Sequence, residues 1–164
     1  MSTRRILIPV ILLLASSALA GVKVNFEESV DFTRYRTYAW GKGTPAARGN
    51  YQEWIVAAIT RELGETGLRP ATDEEPDLLV VSVAFAQLEM AIQGGYVHLT
   101  NWNFGVITSD AVGSGTGHLA IDLVDAASGD VIWRAVAQET FLDDIPRKKI
   151  DKIVKKMFRN YPPG

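Results

Sequence analysis

The chain has 164 residues, no cysteine and a formal charge of −2 at neutral pH. The lack of cysteine excludes disulfides, thiolate catalysis and cysteine metal sites. An acidic balance argues against nucleic-acid binding, because neutralising phosphates requires a basic face.

The first element along the chain is a predicted secretory signal peptide, residues 1–20. Two arginines precede an apolar run of ten residues, Ile6 to Ala15, and small residues follow as far as Ala20. These are the parts of a cleavable signal, and the run is shorter than the roughly 20 residues that cross a bilayer. We therefore expect cleavage between Ala20 and Gly21, leaving a single domain over residues 21–164. Because the signal contains two arginines, the formal charge is −2 for the whole chain and −4 for the predicted mature domain.

The first half of that domain predicts two strands and a helix. Strand-forming residues occupy 22–26 and 35–40, and a loop rich in glycine and small residues follows them. A helix is predicted from the N-cap Asn50 to about Thr66, with Gly67 as its C-terminal cap. Its apolar face is predicted to comprise Ile55, Ala58, Ile59 and Leu63.

The second half predicts three strands and a second helix. Residues 77–88 form the strongest strand, apolar on both faces and therefore central in the sheet. Strands over 118–124 and 131–141 flank the turn 125–130, and Pro146 opens the last helix. The resulting fold class is α+β, a largely antiparallel sheet of about five strands with two helices packed on one face. The apolar stripe of the last helix, the side predicted to face the core, comprises Ile150, Ile153, Val154, Met157 and Phe158.

The last helix also carries a dense set of basic residues. We expect them to form a solvated outer face, the usual role of such a pattern; the alternative is contact with an anionic surface, such as a membrane or an acidic partner. The set comprises Arg147, Lys148, Lys149, Lys152, Lys155, Lys156 and Arg159.

The best candidate for a binding site is the glycine-flanked aromatic segment 94–105. Flat apolar rings beside amide groups suit a carbohydrate, a lipid or a partner protein. The alternative is that the rings fold back over the sheet, and their alternation also fits a long hairpin arm. The candidate residues are Tyr96, His98, Asn101, Trp102 and Phe104.

No catalytic, metal or cofactor site is predicted. Only His98 and His118, with Asp110 or Asp122, could ligate a metal, and their spacing is more typical of surface histidines. The neighbouring carboxylates Glu74-Glu75 and Asp143-Asp144 lie at turn or cap positions, where they cannot face each other across a substrate. No serine lies in a nucleophile elbow, and Gly113-Ser114-Gly115-Thr116-Gly117 lacks the lysine and helix of a phosphate loop.

Three blocks of the sequence resemble domain of unknown function 4136, a family of bacterial envelope proteins. They are the entry motif Val30-Asp31-Phe32-Thr33-Arg34-Tyr35-Arg36-Thr37-Tyr38-Ala39-Trp40, the block Pro76-Asp77-Leu78-Leu79-Val80, and the hairpin over 115–134 that contains Asp122-Leu123-Val124-Asp125-Ala126-Ala127-Ser128-Gly129-Asp130. They occur in the family's order, and the resemblance spans roughly residues 22–160. It implies a small lipoprotein or secreted protein of the Gram-negative envelope without assigned catalytic activity, so no functional residues carry over.

One departure from the family bears on location. Many members carry the lipobox Leu-Ala-Gly-Cys, whose cysteine is acylated, whereas here Leu19-Ala20-Gly21 precedes Val22. Without the thiol no lipid can be attached. We therefore expect a soluble periplasmic or secreted domain with no stable membrane anchor, unless an uncleaved signal serves as a tether.

The leading hypothesis is a non-enzymatic module that binds an envelope protein, lipid or glycan through the aromatic segment or a free sheet edge. One alternative is a hydrolase or metal-dependent enzyme acting on envelope material, with a pocket built from Asp110, His98, His118 and Asp122. Another is a structural homo-oligomer formed by edge pairing.

Overall fold

A computed structural model describes residues 21–46, 49–92, 95–100, 113–141 and 145–163. The fifth strand and the adjoining ends of the fourth and sixth are described by backbone pairing alone. In chain order the elements are β1 (Gly21–Phe26), a 3₁₀ turn (Phe32–Arg34), β2 (Thr37–Trp40), α1 (Gly49–Glu65), β3 (Arg69–Pro70), β4 (Leu78–Ile92), β5 (Gly95–Thr100), β6 (Gly113–Asp125), β7 (Val131–Phe141) and α2 (Arg147–Phe158).

The strands form one mixed sheet. Six of them follow the order β1-β7-β6-β4-β2-β3, and β5 pairs with the distal part of β4. The pairs β1–β7, β7–β6, β6–β4 and β4–β5 are antiparallel, whereas β2 runs parallel to both β4 and β3. The α+β class is therefore confirmed, but the prediction of a largely antiparallel sheet of about five strands is wrong.

The parallel pairing follows from the connection between β2 and β4. The chain crosses through α1 before it returns to the sheet, so β4 enters beside β2 in the same direction. The periodicity that identifies a strand carries no information on its direction, and the two-residue β3 is too short to produce a pattern.

The segment after β2 continues along β4 at very close range. Gly41 N donates to Val80 O at 2.9 Å, Thr44 N donates to Ser82 O at 3.1 Å, and Ala84 N donates to Thr44 O at 3.0 Å. A Cβ on Gly43 would lie 2.1 Å from the Ser82 carbonyl oxygen. Only glycine fits there without displacing the backbone.

The core lies between one face of the sheet and the two helices. Rows of paired residues cross β4, β6 and β7, for example Val80, Leu123 and Trp133, and all three are buried. The predicted stripe of α1 is fully buried, as is that of α2 except for Ile153, which is partly buried. Both helices belong to the same cluster as this sheet face, which confirms their packing on one side.

The helix ends follow the predicted chemistry with two shifts. α1 begins at Gly49, so Asn50 lies in its first turn and is not its N-cap. Gly67 has φ +90°, and Leu68 N donates to Leu63 O at 3.1 Å, the pattern of a C-terminal glycine cap. Pro146 is the N-cap of α2 rather than its first helical residue. Neither helix of the described ranges offers an apolar stretch able to cross a lipid bilayer.

Candidate functional site

The aromatic segment proposed as a binding site is only partly described. Tyr96 and His98 lie on β5, opposite Ala91 and Glu89 of β4, and their spacing of two places them on one face of the strand. This pairing forms the first part of a hairpin arm. Asn101, Trp102 and Phe104 lie outside the described residues, so a site there stays a prediction.

The residues considered for metal binding do not converge where they are described. His118 is paired in register with Phe85 and Gln138, and Asp122 lies four residues further along β6, about 13 Å away. Arg134 Nε and Nη2 donate to the two oxygens of Asp122 at 2.6 and 2.7 Å. No cluster of three or more metal-ligating side chains occurs within the described ranges, and Asp110 lies outside them.

The most extensively bonded carboxylate is Asp125, at the end of β6. Its Oδ1 accepts hydrogen bonds from the backbone N–H groups of Ala127 and Ser128, at 2.9 and 3.0 Å. Its Oδ2 accepts from the Tyr35 hydroxyl at 2.8 Å and from Arg34 Nη2. One buried side chain thereby holds the β6–β7 turn together and joins it to the segment before β2.

These hydrogen bonds fix the protonation state of Asp125. The donors, first the Ser128 N–H and then the Tyr35 hydroxyl, lower its pKa from 3.8 to about 2 despite the cost of burial. Burial and the neighbouring Asp125 raise the pKa of Tyr35, which keeps its hydroxyl a donor. Because its oxygens already accept four hydrogen bonds and its basicity is low, Asp125 is poorly suited to act as a general base.

A second carboxylate, Asp77, ties the starts of two neighbouring strands together. Its Oδ2 accepts from the backbone N–H groups of Arg36 and Thr37 at 2.8 and 2.9 Å. Asp77 N in turn donates to Thr37 Oγ1 at 3.1 Å. The N–H donors of Arg36 and Thr37 lower the pKa of Asp77. The bonds align β2 with β4 at the point where their parallel pairing begins.

Asp125 and Asp77 connect the three sequence blocks that resemble the envelope family. Asp125, in the third block, bonds Arg34 and Tyr35 of the first, and Asp77, in the second, bonds Arg36 and Thr37 of the first. Sequence reasoning did not select these residues. An aspartate shortly before Ser128-Gly129 is typical of a turn, and that local signal is visible in the sequence. The hydrogen bonds from Arg34 and Tyr35 to Asp125 span about 90 positions, so no local pattern could have predicted them. The three blocks that resemble the family thus contain residues whose hydrogen bonds hold distant segments of the fold together.

An open cleft of about 700 Å³ borders the Asp125 cluster. Glu27, Ser29 and Asp130 contribute to its wall together with Arg34. Arg34 is 60% exposed, and its guanidinium stacks 4.8 Å from the centre of the Tyr35 ring. Within this wall the Ser29 hydroxyl donates to Glu27 Oε1 at 3.0 Å, a local hydrogen bond between two exposed residues two positions apart.

One edge of the sheet offers a different kind of site. β1 pairs with β7 along its whole length without a bulge, and no strand of the described part of the chain lies on its other side. Alternate backbone groups of β1 therefore point outward without a strand partner. Val24 and Phe26, 39% and 45% exposed, lie beside this edge. The strand contains no proline and one charge, Lys23.

A family match covers nearly the whole predicted mature domain. The family model described as "Domain of unknown function (DUF4136)" matches residues 22–163. A search of curated proteins found no match.

Solved structures resemble the chain in fold. A PDZ domain protein from Parabacteroides distasonis aligns with a TM-score of 0.58 and 18% identity, over 88% of this chain and 36% of that one. The chain thus spans about a third of that protein. Two crystal forms of the PelC dodecamer from Paraburkholderia phytofirmans align with TM-scores of 0.52 and 0.53 and identities of 11% and 10%, over 85% of this chain and 95% of that one. A DUF4136 family protein from Bacteroides thetaiotaomicron aligns with a TM-score of 0.49 and 16% identity, over 87% and 96%.

Proposed function

The chain belongs to the DUF4136 family, whose function is unknown, and from that premise we propose that it is a non-enzymatic binding module of the Gram-negative envelope. It acts by accepting an extended segment of another polypeptide along the edge of β1. The single observation that carries this proposal is the exposed, unblunted edge of that strand.

The edge has the properties that strand addition requires. Natural sheets usually protect their edges with lysines, prolines, bulges or very short strands. β1 has six residues, continuous register and one lysine. An added strand would gain backbone hydrogen bonds from the edge and apolar contacts with Val24 and Phe26.

The export part of the proposal is supported by the signal-peptide pattern of residues 1–20. Cleavage after Ala20 would leave β1 intact, because that strand begins at Gly21. Since Val22 occupies the position of the lipobox cysteine, the mature protein would be released into the periplasm without a lipid.

The enzymatic alternative receives less support. Asp125, Asp77 and Asp122 each accept hydrogen bonds from another segment of the chain and so hold two segments of the fold together. A catalytic carboxylate needs an oxygen directed at a substrate and a pKa suited to proton transfer.

Site-specific photocrosslinking in living cells tests the edge. A benzophenone amino acid at Phe26 should form an adduct with a partner polypeptide, and a Val24→Lys change in the same chain should abolish it, because a lysine blunts the edge. Val131, 47% exposed and outside β1, is the matched control position. Equal adducts at both positions, or none at Phe26, would contradict the proposal.

A second candidate function, self-assembly, is favoured by the PelC dodecamers that share the fold. The bound strand would then come from another copy of this chain, and repetition around an axis could close a ring. Light scattering of the purified protein should show a mass well above 18.0 kDa that rises with concentration. The Val24→Lys/Phe26→Lys variant should return it to a monomer, whereas a monomeric wild type at all concentrations would exclude this candidate.

The aromatic segment remains a candidate second contact for a glycan, a lipid or the same partner. Replacing Tyr96, Trp102 and Phe104 with alanine should reduce retention of that ligand in a pull-down from periplasmic extract, provided circular dichroism shows a folded variant. Retention equal to that of the wild type would assign these rings to packing.

A further inference from the structure

The densest group of basic residues in this protein lies on its last helix, α2. Between Arg147 and Arg159 there are seven basic residues and one carboxylate, Asp151. This local charge of +6 occurs in a chain whose total is −2, so the remainder of the chain carries −8. Such an asymmetry generates a strong local field around α2.

The exposed cations of α2 lie along its outer side. Its apolar stripe is buried against the sheet and α1. Lys148, Lys152, Lys155 and Arg159 are all exposed and follow one another at spacings of four, three and four residues. This spacing aligns them in a stripe about 16 Å long on one side of a helix. We call these four residues the cationic stripe.

The stripe is not neutralised by its surroundings. Lys149 pairs with Glu139 at 2.6 Å, and Asp151 pairs with Arg61 at 3.2 Å. The four stripe residues form no ion pair within the part of the chain that the structure describes. α1 contributes Glu62 and Glu65 at one border, and Glu62 pairs with Arg61 at 3.0 Å. Like charges three and four positions apart repel each other, so an anionic partner would relieve the stripe.

We propose that the cationic stripe docks the protein on an anionic lipid surface. The stripe lies on the exposed side of α2, where a plane of phosphate groups can reach all four cations together. The apolar residues of α2 other than the partly buried Ile153 are buried in the core, so binding is peripheral and electrostatic, without insertion.

A lipid surface fits the stripe better than a folded protein partner does. The centres of protein interfaces are depleted in lysine and enriched in aromatic side chains. The outward arc of α2 holds flexible cations with no apolar or aromatic residue among them. The remaining charge of −8 would also turn the rest of the molecule away from an anionic surface.

Flotation with lipid vesicles tests the proposal and does not depend on the β1 edge. The predicted mature chain, residues 21–164, is mixed with vesicles of phosphatidylglycerol and phosphatidylcholine in equal parts, and separately with pure phosphatidylcholine. The stripe variant is Lys148→Gln/Lys152→Gln/Lys155→Gln, in which glutamine keeps the helix propensity. The matched control is Arg36→Gln/Lys42→Gln/Arg69→Gln, which removes the same charge from exposed positions outside α2 and β1.

The expected result is binding to the anionic vesicles that exceeds binding to the neutral ones and disappears at high salt. Each neutralised stripe residue should weaken it about fivefold, and the triple variant on the order of 100-fold, whereas the control should bind like the wild type. If both variants lost vesicle binding equally, the net charge of the protein rather than the stripe would explain the binding, and the proposal would be wrong. Equal binding of stripe variant and wild type would overturn the proposal, as would wild-type binding to polyaspartate without binding to anionic vesicles.

Discussion

Among single residues of the described ranges, Asp125 has the side chain that accepts the most hydrogen bonds, four in all. Its two oxygens hold the turn before β7 and the segment before β2 in one place. Because the group is buried, removing its charge leaves several donors with a weaker acceptor or none. Its contribution to stability can therefore be measured directly.

We expect Asp125→Asn to lower the free energy of unfolding by about 2–3 kcal/mol, the cost of weakening charged hydrogen bonds at a buried site. Urea unfolding followed by circular dichroism measures this difference. Asp130→Asn is the matched control, since Asp130 is exposed in the same turn and should change stability by less than about 0.5 kcal/mol. A loss of equal size in both variants would contradict the role of Asp125.

The depressed pKa of Asp125 also predicts how stability varies with pH. The pKa is about 2 in the folded protein, against 3.8 for an unperturbed aspartate. The carboxylate therefore contributes fully above pH 3.8, and its contribution is lost as pH falls towards 2. That contribution corresponds to about 2 kcal/mol. Between about pH 5 and pH 2, stability should fall by about this amount more in Asp130→Asn than in Asp125→Asn, and parallel curves would refute the assignment.

Among the secondary-structure elements, the parallel pair of β2 and β4 depends on close backbone approach. Gly43 lies where a Cβ would meet the Ser82 carbonyl oxygen at 2.1 Å. The conflict is steric, and backbone rather than a flexible side chain would have to move. Gly64 in α1 differs, because a Cβ there would meet nothing within 4 Å.

The same substitution at these two glycines should therefore have opposite effects. Gly43→Ala should destabilise the protein by about 1–3 kcal/mol through overpacking. Gly64→Ala should stabilise it by about 0.5–1 kcal/mol, because alanine loses less backbone entropy in a helix. Thermal unfolding of the two variants beside the wild type measures both changes. A neutral Gly43→Ala variant would show that the segment can separate from β4 without cost.

For the whole molecule, the second residue after the predicted signal, Val22, determines whether a lipid can be attached. A thioether needs a thiol, and Val22 supplies none. Val22→Cys would create the sequence Leu-Ala-Gly-Cys. In a Gram-negative host this variant should move from the periplasmic fraction to the membrane fraction, and its mass should increase by the attached lipid.

The neighbouring change Lys23→Cys is the control for that experiment. It introduces a thiol one position beyond the lipobox and should leave the protein in the periplasmic fraction, with Gly21 at its N-terminus. Recovery of the wild type with residues 1–20 attached would contradict the predicted cleavage and favour a tether.

Much of the architecture was accessible from local patterns. The stripes of α1 and α2 follow from apolar spacing, and the cap at Gly67 and the turn at Gly129 follow from a need for positive φ, which the structure shows at +90° and +79°. The hairpin of β6 and β7 follows from alternation on both sides of a turn. Each of these signals lies within a few residues, where side-chain spacing and backbone conformation are directly coupled.

The amino-acid sequence by itself determined the α+β class, both helices and the segments that form the principal strands, because these depend on short-range periodicity. Only the tertiary structure decided that β2 runs parallel to β4, that β1 forms an exposed edge, and that Asp125 bonds Arg34 and Tyr35. Strand direction and hydrogen bonds across 90 positions depend on how the chain returns to itself, and no local pattern encodes that return.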